Sequence, residues 1–305
     1  MTLTLIVLLA VGLDRCLGEP RNALHPLAAF GRWVGILERS WLDLAASPAK
    51  QRWAGILALL GAVAPALSCL LALPAIPALQ AGLAVAILYF CIAARSLEQH
   101  ATAVASALEA GDLALARQRV GYIVSRQTET MSEEDVRRAV IESVLENGAD
   151  AVFAPLFWFV LAGPAGAVVY RLVNTLDAMW GYRNIRYRHF GWAAARFDDV
   201  LNWLPARLTA LSYAALADTG RAIRAWLQFA PLLDSPNAGP VMSAGAGALN
   251  LRLGGPAVYH GQLKQKPWFG GDRSPELADI ARACGLVQRT LWLWLAAIAL
   301  GDYLA

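Results

Sequence analysis

Residues 53–73, WAGILALLGAVAPALSCLLAL, and residues 76–94, IPALQAGLAVAILYFCIAA, run without a single charged side chain. As helices at about 1.5 Å per residue, each is long enough to bridge a hydrocarbon core of roughly 30 Å. Pro74 and Pro77 between them fix the backbone and remove donors, which predicts a tight turn and a transmembrane hairpin. Composition points the same way. Of 305 residues, 57% are hydrophobic and 16% are charged, whereas a soluble domain carries about 25% charged residues. The chain is too apolar for water, and we read it as all-α, a polytopic integral membrane helical bundle.

Working outward, residues 286–300 (LVQRTLWLWLAAIAL) predict a further span reaching to about residue 304, with Trp292 and Trp294 as interfacial anchors. Residues 1–305 therefore read as one membrane-embedded domain with clear spans near 53–73, 76–94 and 286–304. The N-terminal MTLTLIVLLAVGLDRC lacks a basic leader and a cleavage site, so a removed signal peptide is not expected. Its apolar part is short for a full span and predicts a partial one, with Asp14 and Arg15 at the headgroups. Residues 14–52 and 95–150 each carry six Lys or Arg, which places both flanks of the first hairpin in the cytoplasm.

Residues 151–172, AVFAPLFWFVLAGPAGAVVYRL, raise the topological question. If they cross, the arginine-rich stretch that follows lies outside. Their centre, LAGPAG, is a turn signal, and Pro155 interrupts the first half. A re-entrant hairpin turning at Gly163–Gly166, with two arms of about ten residues, keeps residues 174–199 on the side of 95–150. Residues 200–217 carry Arg207 in mid-run, where a central arginine is costly in lipid, and read either as an amphipathic helix packed on the bundle or as a span. Ser132 followed by Asp135 predicts a capping box at the start of a cytoplasmic helix. The Gly- and Pro-rich 235–275 region predicts loops and close helix contacts. The overall expectation is a bundle with re-entrant or amphipathic segments and cytoplasmic helical loops.

Other classes are set aside on residue grounds. Cys16, Cys69, Cys91 and Cys284 are scattered, as are His25, His100, His189 and His260, so neither a zinc site nor a disulfide framework is indicated. Of the 26 basic residues only Lys50, Lys264 and Lys266 are lysines. Arginine suits carboxylate and phosphate recognition, although a GC-rich genome gives the same bias.

Four polar clusters interrupt the apolar background. In IESVLENGADAV, Glu142, Glu146 and Asp150 share one helix face beside Ser143 and Asn147, and like charges at that spacing call for a compensating arginine, metal or ammonium, or else form a solvated acidic face. In YRLVNTLDAMWGYRN, Arg171, Asn174 and Asp177 step along one stripe, followed by Arg183. In FDDVLNWLPAR, Asp198 and Asn202 are one turn apart, with Asp199 beside them and Arg207 after Pro205. Polar groups beside apolar segments are costly unless paired or used. Internal pairing, such as Arg171 with Asp177, and a shared polar site are both open on this pattern. In SPNAGPVMSAGAGALNLRLGGP the run is glycine-rich but lacks the GK[ST] of a Walker A loop. Its small residues suit close helix contact, or Ser235, Asn237 and neighbouring amides form an anion nest.

The order of these motifs resembles the CobD/CbiB family of cobalamin biosynthesis, the adenosylcobinamide-phosphate synthases. The matching pieces are LGEPRNALHPLAAFGR at 17–32, VSRQT at 124–128 and ESVLENGADAVFAPLFW. After them come NTLDAMWGYRN, FDDVLNWLPARLTAL, SPNAGPVMSAGAGALNLRLGG and GGDR at 270–273. The resemblance runs from about residue 12 to about 290. The chain departs from it at Gln127, where the family usually has Asp, so position 127 is left out of any metal set.

The resemblance implies an ATP-dependent amide synthase at the bacterial cytoplasmic (inner) membrane. Its substrates would be adenosylcobyric acid, a corrinoid, and (R)-1-amino-2-propanol or its O-phosphate, joined through a propionate carboxylate. Mg²⁺ and ATP are expected, and nucleic acid is not. A homo-oligomer, or a complex with other late enzymes of the pathway, is compatible. On residue chemistry, Asp177, Asp198 and Asp199 are metal candidates. Arg126, Arg183 and Arg207, with Asn147, Asn174, Asn202, Ser235 and Asn237, are substrate and phosphate candidates. Glu142 or Glu146 would bind the ammonium and take its proton, so Glu142, Glu146, Asp177 and Asp198 form the catalytic set. A non-catalytic membrane binding protein of the same superfamily and a transporter are the rival readings.

Overall fold

The computed structural model describes residues 1–20, 25–74, 76–259 and 261–305. Positions 21–24 of the N-terminal motif, Ala75 of the proline turn and His260 lie outside the described residues. In chain order the helices begin with α1 (Leu3–Leu17), α2 (Pro26–Trp41), α3 (Pro48–Leu71) and α4 (Pro77–Cys91). Next come α5 (Ala94–Glu109), α6 (Leu113–Val120), α7 (Glu133–Gly148), a π-turn (Ala149–Phe153) and α8 (Ala154–Trp180). The remainder are α9 (Trp192–Ala215), α10 (Thr219–Phe229), α11 (Ala238–Leu249) and α12 (Ala278–Leu304). Among the described residues, four helical runs are long and apolar enough to cross a membrane: Pro48–Leu71, Pro77–Glu109, Glu133–Trp180 and Ala278–Leu304. The protein is an α-helical membrane protein, and the three clear spans of the sequence overlap three of these runs to within two residues at their ends.

The chain divides into two compact units built from interleaved segments. Unit 1 comprises Met1–Ala93, Ala154–Asn202 and Asp302–Ala305. Its core gathers Val34 and Leu37 of α2, Ala58 and Leu59 of α3, Tyr170, Leu176 and Trp180 of α8, and Phe190. Asp14 is 1% exposed, so it turns into this unit rather than to the headgroups.

Within unit 1, α8 is two helices. Ala162 (φ −133°) and Gly163 (φ 63°, ψ −159°) leave helical geometry just before Pro164. The positive φ is one that glycine adopts without a steric cost. A Cβ added at Gly166 would lie 2.4 Å from the Trp158 carbonyl oxygen and 2.7 Å from the Ala162 Cβ. Residues eight apart in an unbroken helix are about 12 Å apart along the axis. The chain therefore folds back on itself at this point. Both arms then meet the same level of α9: the Trp158 indole donates to the Leu201 carbonyl at 3.0 Å, and the Tyr170 hydroxyl donates to Asn202 Oδ1 at 2.9 Å. The second arm runs on to Trp180, further than the ten residues the sequence suggested.

Prolines inside two helices are accommodated by one device. A helical proline has no N–H to give to the carbonyl four residues back, and a buried carbonyl needs a donor. Pro205 of α9 leaves the Leu201 carbonyl free, and Trp158 fills it. Pro65 of α3 leaves that of Gly61, which accepts from the Trp33 indole at 3.3 Å.

Unit 2 comprises Ala94–Phe153 and Trp203–Gly301. Here α5, α6 and α7 pack together, and α10 lies along α11. Helix α7 starts with the capping box the sequence indicated: Ser132 Oγ accepts from the Asp135 N–H while Asp135 accepts from the Ser132 N–H. It ends in the π-turn, where the Tyr213 hydroxyl donates to the Leu145 carbonyl at 3.1 Å. Gly148 permits that approach, since a Cβ there would stand 2.4 Å from the Tyr213 hydroxyl. The small-residue run forms α11, almost wholly buried, and Asn250 ends it in the left-handed conformation (φ 56°). Where the sequence suggested loops, two short ribbons stand instead. Strand β1 (Arg252–Gly254) pairs antiparallel with β4 (Trp268–Gly270), and β2 (Ala257–Tyr259) with β3 (Gln262–Lys264).

Candidate functional site: one polar cluster in each unit

In unit 1 the polar residues centre on Asp198. Helix α9 presents it toward the second arm of α8, and neutral amides hold both carboxylate oxygens. Asn174 Nδ2 donates to Oδ1 at 3.2 Å and Asn202 Nδ2 to Oδ2 at 3.0 Å. Asp177, one helical turn beyond Asn174, lies within electrostatic reach of both Asp198 and Asp199. Asp199 is ion-paired with Arg196 at 3.1 Å and also feels Arg183. Burial pushes the Asp198 carboxyl up to about 6, offset in part by the two amides and reinforced by Asp199. Burial also raises the Asp199 carboxyl, against the pull of Arg196 and Arg183. Arg183 is exposed.

The structure thus brings together Asn174, Asp177, Asp198, Asp199 and Asn202, with Arg183 acting on Asp199. It also changes what Asn202 can do. Asn202 is 2% exposed, with its oxygen taken by Tyr170 and its nitrogen by Asp198, so it supports Asp198 and offers nothing to a ligand.

Unit 2 holds the remaining candidates. Arg126 forms an ion pair with Glu142, which also accepts the Gly254 N–H at 2.7 Å. The acidic face of α7 thus receives the arginine its spacing called for, and the pair clasps the 124–128 segment and β1 to α7. Glu146, one turn on, has Lys266 as its strongest cationic neighbour. Asn147 Nδ2 donates to the Ser143 carbonyl at 2.9 Å and to Ser143 Oγ at 3.0 Å, which leaves its oxygen. Arg207 stacks on Trp203 and donates to Asn237 Oδ1 at 3.0 Å and to the Pro236 carbonyl at 3.1 Å. Burial lowers the pKa of its guanidinium. Ser235 Oγ takes the N–H groups of Asn237 (3.3 Å) and Ala238 (3.1 Å). Those amides are consumed within the turn, so they form no open anion nest. Gln127, the departure from the family pattern, accepts the Gly261 N–H at 3.1 Å.

Among the described residues, no group of three or more His, Cys, Asp and Glu side chains is arranged to hold a metal ion. Asp177, Asp198 and Asp199, metal candidates on residue chemistry, are not a three-carboxylate group of that kind. The donor set fits a different arrangement. Mg²⁺ characteristically takes one or two protein carboxylates and completes its shell with water and phosphate oxygens. Asp177 and Asp198, with no cation from the described residues among the groups acting on either, suit that mode.

Two features escaped the sequence reading. Tyr170 lies in an apolar run, and nothing in the sequence marks its hydroxyl. Glu38 carries no motif signal, yet it is 8% exposed and collects several donors. These are the Trp180 indole (3.2 Å), Arg186 Nε and its terminal nitrogen (2.9 and 2.6 Å), and the Tyr187 hydroxyl (2.9 Å).

Comparison with known proteins places this geometry in context. The profile of the family described as CobD/Cbib protein matches residues 7–287. A cobalamin biosynthesis protein CobD from Chromobacterium violaceum is 54% identical over 299 residues, covering 97% of this chain and 96% of the relative. One from Stutzerimonas stutzeri is 50% identical over 304 residues, covering 100% and 99%. One from Rhodobacter capsulatus is 37% identical over 300 residues, covering 95% of each. No solved structure matches the chain.

Proposed function

The chain belongs to the CobD/CbiB family of cobalamin biosynthesis, and from that premise we propose that it is the ATP-dependent amide synthase of the pathway. It would join (R)-1-amino-2-propanol, or its O-phosphate, to the propionate carboxylate of adenosylcobyric acid, giving adenosylcobinamide or its phosphate. The observation that supports this reading most is the Asp177 and Asp198 pair with Arg183 nearby, a set suited to a magnesium-bound polyphosphate.

A carboxylate does not accept an amine until one of its oxygens can leave, and phosphorylation by ATP makes it a leaving group. Mg²⁺, when bound, would neutralise charge on the phosphate oxygens. Asp177 and Asp198 would hold that ion. Arg183, exposed beside Asp199, would bind phosphate oxygens through its planar fork. Asp199, tied to Arg196, would orient the basic side chains rather than ligate. Asn174, which donates to Asp198 and keeps its own oxygen, would sit at the edge of the same site.

In unit 2, Glu142 is committed to Arg126, which leaves Glu146 as the carboxylate to attract the ammonium and take its proton. Arg207 and Asn147 are the candidates for anionic and amide groups of the substrates. An enzyme that uses cytoplasmic ATP fits the bacterial inner membrane. Late pathway enzymes are its natural neighbours there, and a homo-oligomer is compatible.

The test is direct. Purified, detergent-solubilised protein incubated with adenosylcobyric acid, aminopropanol or its phosphate, ATP and Mg²⁺ should form a new amide detectable by mass, with ADP released. Binding of the corrinoid with no amide under any of these combinations would refute the synthase reading.

A further inference from the structure

Among the described residues, Asp198 is held by neutral groups: Asn174 and Asn202 each give one N–H, and no cation is among the groups that act on the carboxylate. Amide donors orient a carboxylate and leave its charge available to a metal or phosphate-bound cation, which an arginine partner would partly cancel. This holds only if the Asn202 amide faces the right way. An asparagine side chain has nearly the same shape with its oxygen and nitrogen exchanged, so the neighbouring groups decide the orientation.

Those neighbours are unequal. Asn202 is 2% exposed and Tyr170 is 0% exposed, which leaves no solvent to substitute for a lost partner. The Asp198 carboxylate only accepts, so its Oδ2 takes the Asn202 NH₂ at 3.0 Å, and the Tyr170 hydroxyl, donating to the remaining Oδ1 at 2.9 Å, holds the amide in that orientation. Reversing the amide would set its oxygen against a carboxylate oxygen. Tyr170 also stands one helical turn before Asn174, on the same face of the second arm of α8. The arm thus reaches Asp198 twice, directly through Asn174 and indirectly through Tyr170 and Asn202.

We propose that Tyr170 is a positioning residue for the reaction: its hydroxyl fixes the Asn202 amide, which in turn aims the Asp198 carboxylate at the bound magnesium–phosphate group. The proposal rests on the assignment of Asp198 to that group. Removing the hydroxyl should act like the loss of an outer-shell partner of a metal ligand, which costs roughly 10- to 100-fold in affinity or activity.

The experiment uses the full chain in detergent and has two readouts. The first needs neither substrate nor metal. Melting temperatures are taken for the wild type, Tyr170→Phe, Asp198→Asn and the double variant, and again with Asn202→Leu present throughout. Tyr170 and Asp198 share Asn202 as hydrogen-bond partner, so their effects should be non-additive by about 2 °C or more, and additive once Asn202 is gone. Additivity in the native background overturns the relay. The second readout is turnover against Mg²⁺ concentration. Tyr170→Phe should raise the half-maximal Mg²⁺ concentration or lower turnover by about tenfold, with no further loss in the Asn202→Leu background. An unchanged Mg²⁺ requirement and turnover overturns the catalytic part. Coupling in the first readout, with no amide product from the wild type, leaves the relay standing and refutes the functional reading instead.

Discussion

Asp198 is ordinary in sequence and unusual in setting. Burial among apolar neighbours disfavours its charge, the amides of Asn174 and Asn202 favour it, and Asp199 opposes it. The net result is a carboxyl whose value in the folded protein, about 6, lies above its usual 3.8. In that interval the folded protein binds a proton that the unfolded chain releases, so stability falls as pH rises. The contribution is fully present below about pH 4 and is lost as pH passes through about 6. In Mg²⁺-free buffer the melting temperature should fall between pH 4.5 and 7 more for the wild type than for Asp198→Asn, which has nothing to titrate there. Parallel melting curves for the two proteins across that range would assign the pH response elsewhere. Added Mg²⁺ should restore stability at pH 7 in the wild type alone, because the ion binds the charged form. Asp198→Asn keeps the shape and loses the charge, so turnover should fall by roughly a hundredfold or more with folding intact. A variant that turns over normally would return Asp198 to a purely structural role.

At the scale of elements, proline and tryptophan work as partners. The Leu201 carbonyl, deprived of a helical donor by Pro205, accepts from Trp158 in a partly buried place. The Gly61 carbonyl above Pro65 accepts from Trp33 at an exposed one. An unsatisfied buried acceptor costs about 1–3 kcal/mol, whereas an exposed one finds another donor. Trp158→Phe should therefore lower the melting temperature by several degrees, and Trp33→Phe by clearly less. Equal losses would mean that ring packing, which the two substitutions share, dominates. The fold-back of α8 makes a harsher demand. Gly166 meets the Trp158 carbonyl so closely that no side chain fits, while nothing lies within 4 Å of a Cβ at Gly12. Gly166→Val should abolish recovery of monodisperse protein from the membrane, and Gly12→Val should not. Normal recovery of Gly166→Val would show that α8 does not need this hairpin.

For the whole molecule, sidedness follows from Glu38. The end of α2 and the loop after Trp180 meet through the Glu38 pairs with Arg186 and Tyr187. The segment entering α3 and the arginine-rich loop therefore share one face of the bilayer, which the positive-inside rule assigns to the cytoplasm. Cysteines at Asp43 and Arg188, in a background free of the native cysteines, should resist an impermeant thiol reagent in intact cells and react after permeabilisation. Different behaviour at the two positions would break the Glu38 arrangement, and labelling of both in intact cells would reverse the assigned orientation.

Several features were fixed by the chain alone, because their causes are local. The absence of charge over residues 53–73 and 76–94 makes them spans whatever surrounds them. The Ser132–Asp135 box starts α7 because a hydroxyl and a carboxylate three residues apart satisfy amides of the same turn. Gly163 and Pro164 break α8 because glycine takes the positive φ there without steric cost and proline has no N–H for the turn before it. The candidate residues were legible as types on helical faces, since periodicity says which side chains point together. It does not say what they meet. Asn174 reaches Asp198 across 24 positions, Gly254 reaches Glu142 across 112, and Arg186 reaches Glu38 across 148. Each of those partners was settled by tertiary packing. The β-ribbons were missed because three-residue strands among glycines are too short to show alternation. Tertiary packing also decided that Asn202 supports a carboxylate instead of binding a ligand. A buried amide has to satisfy both its ends, and only the approach of Tyr170 and Asp198 determines how.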